Sequence, residues 1–140
     1  MCIRDRSSTL TRKLLDRGLK VIDLSADYRY KSLNEWKNVY SKEAAIYKRN
    51  DDDLCKEAVY GLPEINKEEI SKGRLIACPG CYPTSALIPL APYLSQGIIE
   101  YDGIVIDSKS GTSGGGREPN QKLLLSECGE ALSALSLIHI

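Results

Sequence analysis

Residues 74–90 read RLIACPGCYPTSALIPL, and this stretch decides the fold. Its first five residues form a short apolar run that predicts a buried strand. Pro83 suits the first turn of a helix, and the apolar residues after it lead to a helix stop at Gly97. We therefore predict a strand, a short turn that contains Cys78 and Cys81, and a helix.

Strands and helices alternate on both sides of this unit. The leucines of residues 8–17 share one helical face, and KVIDLS (20–25) predicts a strand directly after them. GIVIDS (103–108) predicts a further strand, whereas the polar residues 41–62 predict irregular structure. This alternation indicates an α/β fold with a parallel sheet.

Two capping boxes mark short helices. Ser32 with Glu35 predicts a helix that ends near Tyr40, and Asn66 with Glu69 predicts another before Gly73. In each pair a short polar side chain can accept a hydrogen bond from the backbone N–H three residues later.

The composition excludes several classes of protein. The chain has 140 residues, and its 19 Lys and Arg balance its 19 Asp and Glu, so the charge favours neither nucleic acid nor an acidic membrane surface. No apolar run approaches the roughly 20 residues that a membrane span needs. Five scattered cysteines do not form the pattern of a disulfide framework. We expect a reduced, cytoplasmic protein that binds no membrane and no nucleic acid.

The two ends continue no pattern in the chain beside them. Residues 1–6 read MCIRDR and residues 135–140 read LSLIHI. We expect both to be non-native ends, and the chain to be a piece of a longer gene product. His139, the single histidine, lies in the second of these segments and is assigned no catalytic role.

The CPGC segment admits three interpretations. A zinc site would need two further ligands, and neither Cys55 nor Cys128 has a paired ligand nearby, so we predict no metal. A redox pair of Cys78 and Cys81 would give a thioredoxin-like thiol–disulfide module. In the third interpretation Cys81 is a single nucleophile at a helix N-terminus, where the partial positive charge of unpaired amides favours the thiolate. Gly80 would then let a substrate approach closely.

Four segments read together favour the nucleophile. They are DLSADYR (23–29), YGLPE (60–64), PGCYPT (79–84) and DSKSGTSGGGR (107–117). In this order and at these gaps they resemble the N-acetyl-γ-glutamyl-phosphate reductase family of the aspartate-semialdehyde dehydrogenase superfamily. The resemblance covers about residues 8–134.

The resemblance implies an activity and a mechanism. Enzymes of this family reduce an acyl phosphate, N-acetyl-γ-glutamyl phosphate, to the semialdehyde with NADPH in arginine biosynthesis. The family's nucleophile falls on Cys81, whose thiolate would attack the acyl carbon, expel phosphate and leave a thioester. Hydride from NADP(H) would then reduce the thioester and release the aldehyde.

The resemblance also implies binding residues. The family's substrate-binding arginine falls on Arg29, where a guanidinium can hold an anionic group with two parallel hydrogen bonds. Gly111, Ser113 and Gly114 are implied to line the nicotinamide. Cys78 occupies a position that varies in the family, so we take it as tolerated rather than required.

The domain organisation follows from the same resemblance. Residues 7–82 are the C-terminal part of a truncated Rossmann-type dinucleotide-binding domain, and residues 83–134 begin an α+β catalytic and dimerisation domain. The parent protein is implied to be a homo-oligomer. Because the G-x-x-G-x-x-G fingerprint should lie upstream of Ser8, we expect this chain to be inactive alone. A thiol–disulfide module and a non-catalytic binding fragment remain the alternatives.

Overall fold

The computed structural model describes residues 7–40, 49, 51–110 and 133–139. By its internal contacts the chain divides into two compact units, Met1–Ile88 and Pro89–Ile140. In the part of the chain that is described, no helix is both long and apolar enough to cross a membrane.

The first unit contains a parallel sheet of three strands. These are β1 (Val21–Asp23), β2 (Val59–Tyr60) and β3 (Leu75–Ala77), in the order β1-β3-β2. Asp23 is level with Ala77, and so is Tyr60, so all three strands end at one edge. The predicted parallel α/β sheet is confirmed, as are the strands at 20–25 and 74–78.

Among the described residues of this unit, four helices occur between and beside these strands along the sequence. They are α1 (Ser7–Asp16), α2 (Leu33–Val39), α3 (Asp52–Glu57) and α4 (Pro63–Lys72). The Ser32 hydroxyl accepts a hydrogen bond from the Glu35 N–H at 3.1 Å, so the predicted cap of α2 by Ser32 is confirmed.

One prediction in this unit is wrong, and another is confirmed in part. The stretch 41–62, predicted irregular, contains α3 and β2, whose few residues are too short to show a period. Helix α4 extends from Pro63, which occupies its first turn, to Lys72, and its backbone is non-helical at Asn66, with φ −121° and ψ 33°. The predicted helical segment between Asn66 and Gly73 is therefore present, while the Asn66 side-chain amide donates to the Tyr60 carbonyl oxygen at 3.0 Å.

The core lies between the helices and the sheet. α1, α2 and α3 each contribute large apolar side chains, and each one fully buried stabilises the fold by about 1.5–3 kcal/mol. The core cluster consists of Leu15, Tyr28, Leu33, Trp36, Leu54, Cys55, Ala58, Leu75 and Ala77.

Helix α5 (Cys81–Ser95) begins in the first unit and continues into the second through Pro89 and Pro92. It stops before Gly97, whose φ of 65° is the left-handed conformation typical of a helix end. The second unit also contains β4 (Val105–Ser110), paired antiparallel with β5 (Ser133–His139).

Candidate active site

The loops that follow the three parallel strands meet at one edge of the sheet. The Cys78 N–H, just after β3, donates to the Asp23 carbonyl oxygen of β1 at 2.8 Å. The Gly61 N–H, just after β2, donates to the Ala77 carbonyl oxygen at 2.8 Å. Ligands of open α/β sheets bind outside the carboxyl ends of the strands, so this edge is the candidate site.

Gly61 explains part of the YGLPE segment. A Cβ at this position would lie 2.9 Å from Cγ2 of Ile76 and 3.2 Å from the Ala77 carbonyl oxygen. A side chain does not fit at such distances. Glycine therefore lets the backbone that follows β2 pass in direct contact with β3. The sequence offered no chemical role for this segment, and the structure gives its glycine a packing role.

A compact polar turn shapes the DLSADYR segment after β1. The Ser25 hydroxyl donates to Oδ2 of Asp23 at 2.7 Å, and the Ser25 N–H donates to Oδ1 at 3.1 Å. The Ser25 oxygen in turn accepts from the Asp27 N–H at 3.1 Å. All three residues are buried, so the path of the chain towards Arg29 is fixed.

Arg29 joins this turn to the segment before α5. Its Nε donates to the Cys78 carbonyl oxygen at 2.8 Å, and its Nη2 lies 3.4 Å from the Leu24 carbonyl oxygen. Carbonyl oxygens on two separate loops therefore orient one half-buried guanidinium. An arginine held this way presents its charge in a fixed direction.

Gly80 brings that guanidinium against the backbone that precedes Cys81. A Cβ at residue 80 would lie 3.4 Å from Nη1 of Arg29 and 3.5 Å from Cδ of Pro83. The Gly80 carbonyl oxygen accepts from both the N–H and the hydroxyl of Thr84, at 3.0 and 2.9 Å. These bonds form the first turn of α5.

Cys81 is the first residue of α5, and its side chain is exposed. The N–H groups of a helix's first turn have no acceptor within the helix, so they are available to an anion beside it. The structure thus brings the sequence-predicted Cys81 and Arg29 to the same edge of the sheet. The predicted helix start near Pro83 is confirmed.

Cys78 has a different environment from Cys81. It lies before the helix, is half-buried, and burial raises the pKa of its thiol. The Asp23 carboxylate raises the pKa further, while the Arg29 charge opposes both effects. A thioredoxin-like pair needs its first thiol at the helix terminus with a lowered pKa, which is the reverse of this arrangement. Both thiols are free.

Two further residues contribute to the site: Tyr60, which begins the YGLPE segment, and Arg49, which had no signal in the sequence. Burial raises the pKa of Tyr60, at the end of β2, and the positive charge of Arg29 opposes this shift. Arg49 contacts the segment that leads to Arg29 from a polar stretch without periodicity. Only the tertiary structure brings these residues to the site.

The predicted nicotinamide-lining residues Gly111, Ser113 and Gly114 lie outside the described residues. They follow directly after β4, which ends at Ser110. Their role remains a prediction.

Comparison with known proteins gives the family. Residues 4–73 match the family model described as semialdehyde dehydrogenase, NAD binding domain. Residues 81–139 match the one described as semialdehyde dehydrogenase, dimerisation domain. The chain belongs to the semialdehyde dehydrogenase family. The predicted fold class, a Rossmann-type parallel sheet followed by the start of a second domain, is thereby confirmed.

Within the semialdehyde dehydrogenase family, the similar curated relatives carry one name. The chain is 93 % identical over 133 residues to an N-acetyl-gamma-glutamyl-phosphate reductase of Prochlorococcus marinus strain AS9601. It is 92 % identical over 133 residues to that of strain MIT 9301. Each alignment covers 95 % of this chain and 38 % of the relative. The resemblance drawn from the four sequence segments is confirmed, and the chain spans well under half of these relatives' length.

Proposed function

We propose that this chain is part of a full-length reductase that converts N-acetyl-γ-glutamyl phosphate to N-acetylglutamate semialdehyde in arginine biosynthesis. The names of the relatives and the matching family models support this function. We further propose NADP(H) as the cofactor, a homo-oligomeric assembly and a cytoplasmic location.

One observation carries the proposal for the site. The guanidinium of Arg29 lies against Gly80, the residue immediately before Cys81, and is oriented by the Cys78 carbonyl oxygen. A fixed cation beside an exposed thiol is suited to an anionic substrate that must present an acyl carbon to sulfur.

Cys81 is proposed to act as the nucleophile. Its thiolate attacks the acyl carbon, the bond from that carbon to the phosphate oxygen breaks, and phosphate leaves with the electron pair. The thioester that remains is the species that is reduced, and cleavage of the carbon–sulfur bond returns the thiolate. The first-turn N–H groups of α5 are placed to stabilise negative charge on the carbonyl oxygen.

Arg29 is proposed to bind and orient the substrate. Its Nε is already occupied by the Cys78 carbonyl oxygen, so it is the terminal nitrogens that would meet the anion. The bond to Cys78 resists rotation of the planar guanidinium, and the substrate therefore binds to a preorganised group.

A nicotinamide cofactor is supported by the match of residues 4–73 to the NAD-binding family model, and open α/β sheets bind such ligands at the carboxyl edge of their strands. Bound NADPH supplies the hydride for the reduction. Gly111, Ser113 and Gly114 are proposed to hold it. Residues 7–82 and 83–134 remain the proposed domain limits.

Two cysteine variants of the full-length reductase test the mechanism. We expect Cys81→Ser to abolish turnover, because a hydroxyl at neutral pH is a far weaker nucleophile than a thiolate. Cys78→Ser is the matched control, three residues away, and should retain turnover. Without NADPH, the unmodified enzyme should release phosphate and gain the mass of one acyl group on the peptide that contains Cys81.

Two outcomes would overturn the proposal. Equal loss of turnover in both variants would favour the thiol–disulfide module, which needs both sulfurs. Turnover in Cys81→Ser, or an acyl group on another cysteine, would remove Cys81 as the nucleophile.

A further inference from the structure

Arg49 is a buried cation in the core of the first unit. Its side chain is only 3 % exposed, and it forms a bidentate pair with Asp51, Nε to Oδ1 at 3.0 Å and Nη2 to Oδ2 at 2.9 Å. Its Nη1 donates to the Asp27 carbonyl oxygen at 2.8 Å and lies 3.6 Å from Oδ1 of that residue. Three of its donors are therefore used on two acidic residues.

Two aromatic rings enclose the same guanidinium. Its Cζ lies 4.6 Å from the ring centroid of Trp36 and 5.1 Å from that of Tyr28, both within cation–π range. The Trp36 indole N–H also donates to the Ala26 carbonyl oxygen at 3.1 Å. Both rings belong to the core cluster.

These contacts fall on three successive residues. Ala26 is held through Trp36, Asp27 through Nη1 of Arg49, and Tyr28 through the face of its ring. The next residue is Arg29. The cluster of Arg49, Asp51 and Trp36 thus fixes the backbone immediately before the proposed substrate-binding arginine.

The chemistry of the cluster points beyond packing. A buried ion pair is seldom more stabilising than apolar side chains of the same volume, so stability alone does not call for an arginine here. An arginine adds a fixed orientation of its partners, because its planar guanidinium binds one carboxylate and one carbonyl oxygen at the same time.

We propose that Arg49 is a positioning residue for Arg29, setting the direction from which Arg29 meets the substrate. This inference rests on the proposed function, in which Arg29 binds the acyl phosphate. Arg49 acts on Arg29 through its contacts with Asp27 and with the ring of Tyr28, and not by touching the substrate.

Arg49→Lys in the full-length reductase tests the inference. Lysine keeps the charge but cannot form the bidentate fork. We expect the KM for the acyl phosphate to rise by about tenfold, as for a lost hydrogen bond to a charged group. The kcat and the KM for NADPH should stay within about twofold, because ground-state and transition-state binding of the substrate weaken together.

A double-variant cycle separates positioning from general destabilisation. If Arg49 acts through Arg29, adding Arg49→Lys to Arg29→Lys should raise the KM by no more than about twofold further. Arg12→Lys is the surface control, since Nη2 of Arg12 donates to both carboxylate oxygens of Asp53, at 2.7 and 2.8 Å. It should leave the KM unchanged.

The outcomes are distinct. If the unmodified enzyme does not reduce the acyl phosphate, the proposed function and this inference both fall. If it does, and folded Arg49→Lys keeps the normal KM or shows additive effects with Arg29→Lys, only this inference falls. Should circular dichroism show Arg49→Lys unfolded, Arg49→Gln with Asp51→Asn takes its place in the cycle, because it removes the cation together with its main carboxylate.

Discussion

The side chain of Arg29 donates a hydrogen bond from Nε to the backbone carbonyl oxygen of Cys78 at 2.8 Å. The two residues are 49 positions apart, on the loops that follow β1 and β3. Because the acceptor is a backbone atom, the contact depends on the path of the turn and not on which side chain residue 78 carries. It directs the guanidinium towards the start of α5.

Replacement of Arg29 by lysine should weaken substrate binding. The planar guanidinium of arginine can donate to the Cys78 carbonyl oxygen and to an anion at the same time, whereas the ammonium group of lysine lacks this fork. In the full-length reductase we expect the KM for the acyl phosphate to rise by about tenfold or more. Arg74→Lys, which alters an exposed pair with Glu57, should not change it. Steady-state kinetics would contradict the role of Arg29 if the two variants behaved alike.

Two glycine substitutions should affect different properties, one the stability and the other the KM for the acyl phosphate. In Gly61→Ala the new methyl group would meet Ile76 at 2.9 Å, and such overpacking destabilises by about 1–3 kcal/mol. In Gly80→Ala the nearest atom is Nη1 of Arg29 at 3.4 Å, an ordinary contact, so stability should change little. The second variant should instead raise the KM for the acyl phosphate, because the methyl group occupies space beside the guanidinium. Urea unfolding measures the loss of stability in Gly61→Ala, and steady-state kinetics measure the KM of Gly80→Ala.

The two cysteines should differ in their alkylation by iodoacetamide. Burial and the Asp23 carboxylate raise the pKa of Cys78, so its thiolate fraction near neutral pH is below that of a free cysteine. Its labelling rate should keep increasing as the pH rises beyond about 8.5, the pKa of a free cysteine. Exposed Cys81 should be labelled first at neutral pH. Site-resolved peptide mass spectrometry that found Cys78 faster would reverse this assignment.

The raised pKa of Cys78 also makes the free energy of unfolding depend on pH. The folded state favours the neutral thiol, so this contribution is fully present below the pKa of the unfolded chain, about 8.5. It is lost as the pH rises through the higher folded value. The free energy of unfolding of Cys78→Ala should therefore decline less steeply with pH in the alkaline range than that of the unmodified protein.

Removal of the buried cation should be far more destabilising than removal of a surface one. Arg49→Met leaves Asp27 and Asp51 buried without their guanidinium, and breaking such a pair costs about 3–5 kcal/mol. Arg12→Met breaks an exposed pair with Asp53 and should shift the urea midpoint only slightly. Equal midpoints would show that the Arg49 cluster is not structural.

The 140-residue chain produced alone should bind NADPH poorly. It spans 38 % of the length of the relatives to which it aligns, and we propose that the phosphate-binding fingerprint lies in the remainder. A titration followed by NADPH fluorescence should show no binding with micromolar affinity. A separate activity assay should show no turnover. The full-length reductase serves as the positive control, and a micromolar Kd for the short chain would refute the expectation.

The sequence predicted the elements with strong local signals. The apolar runs of β1 and β3, the Ser32 cap of α2 and the glycine stop after α5 were all readable because each depends on neighbours within a few residues. Cys81 and Arg29 were identified by resemblance, and the structure brings both to one edge of the sheet.

The remainder depends on contacts between distant residues. Helix α3 and strand β2 are too short for a periodic pattern, and they exist because Leu54, Cys55 and Ala58 are buried in the core. The capping pattern predicted a helix start at Asn66, whereas α4 begins three residues earlier at Pro63 and is kinked at Asn66, whose amide bonds to the Tyr60 carbonyl oxygen. Arg49 stands in a polar stretch that gave no hint of its burial.

Only Pro79 and Gly80 separate Cys78 from the first residue of α5. The position of the Cys81 sulfur, the proposed nucleophile, therefore depends on the length of this linker. One extra residue that joined the start of the helix would turn it by about 100° and advance it by about 1.5 Å. The thiol of Cys81 would then move away from the guanidinium of Arg29, while the strands stayed in place. Tolerance to insertions and deletions in this short connection should accordingly be very low, however permissive the surrounding surface.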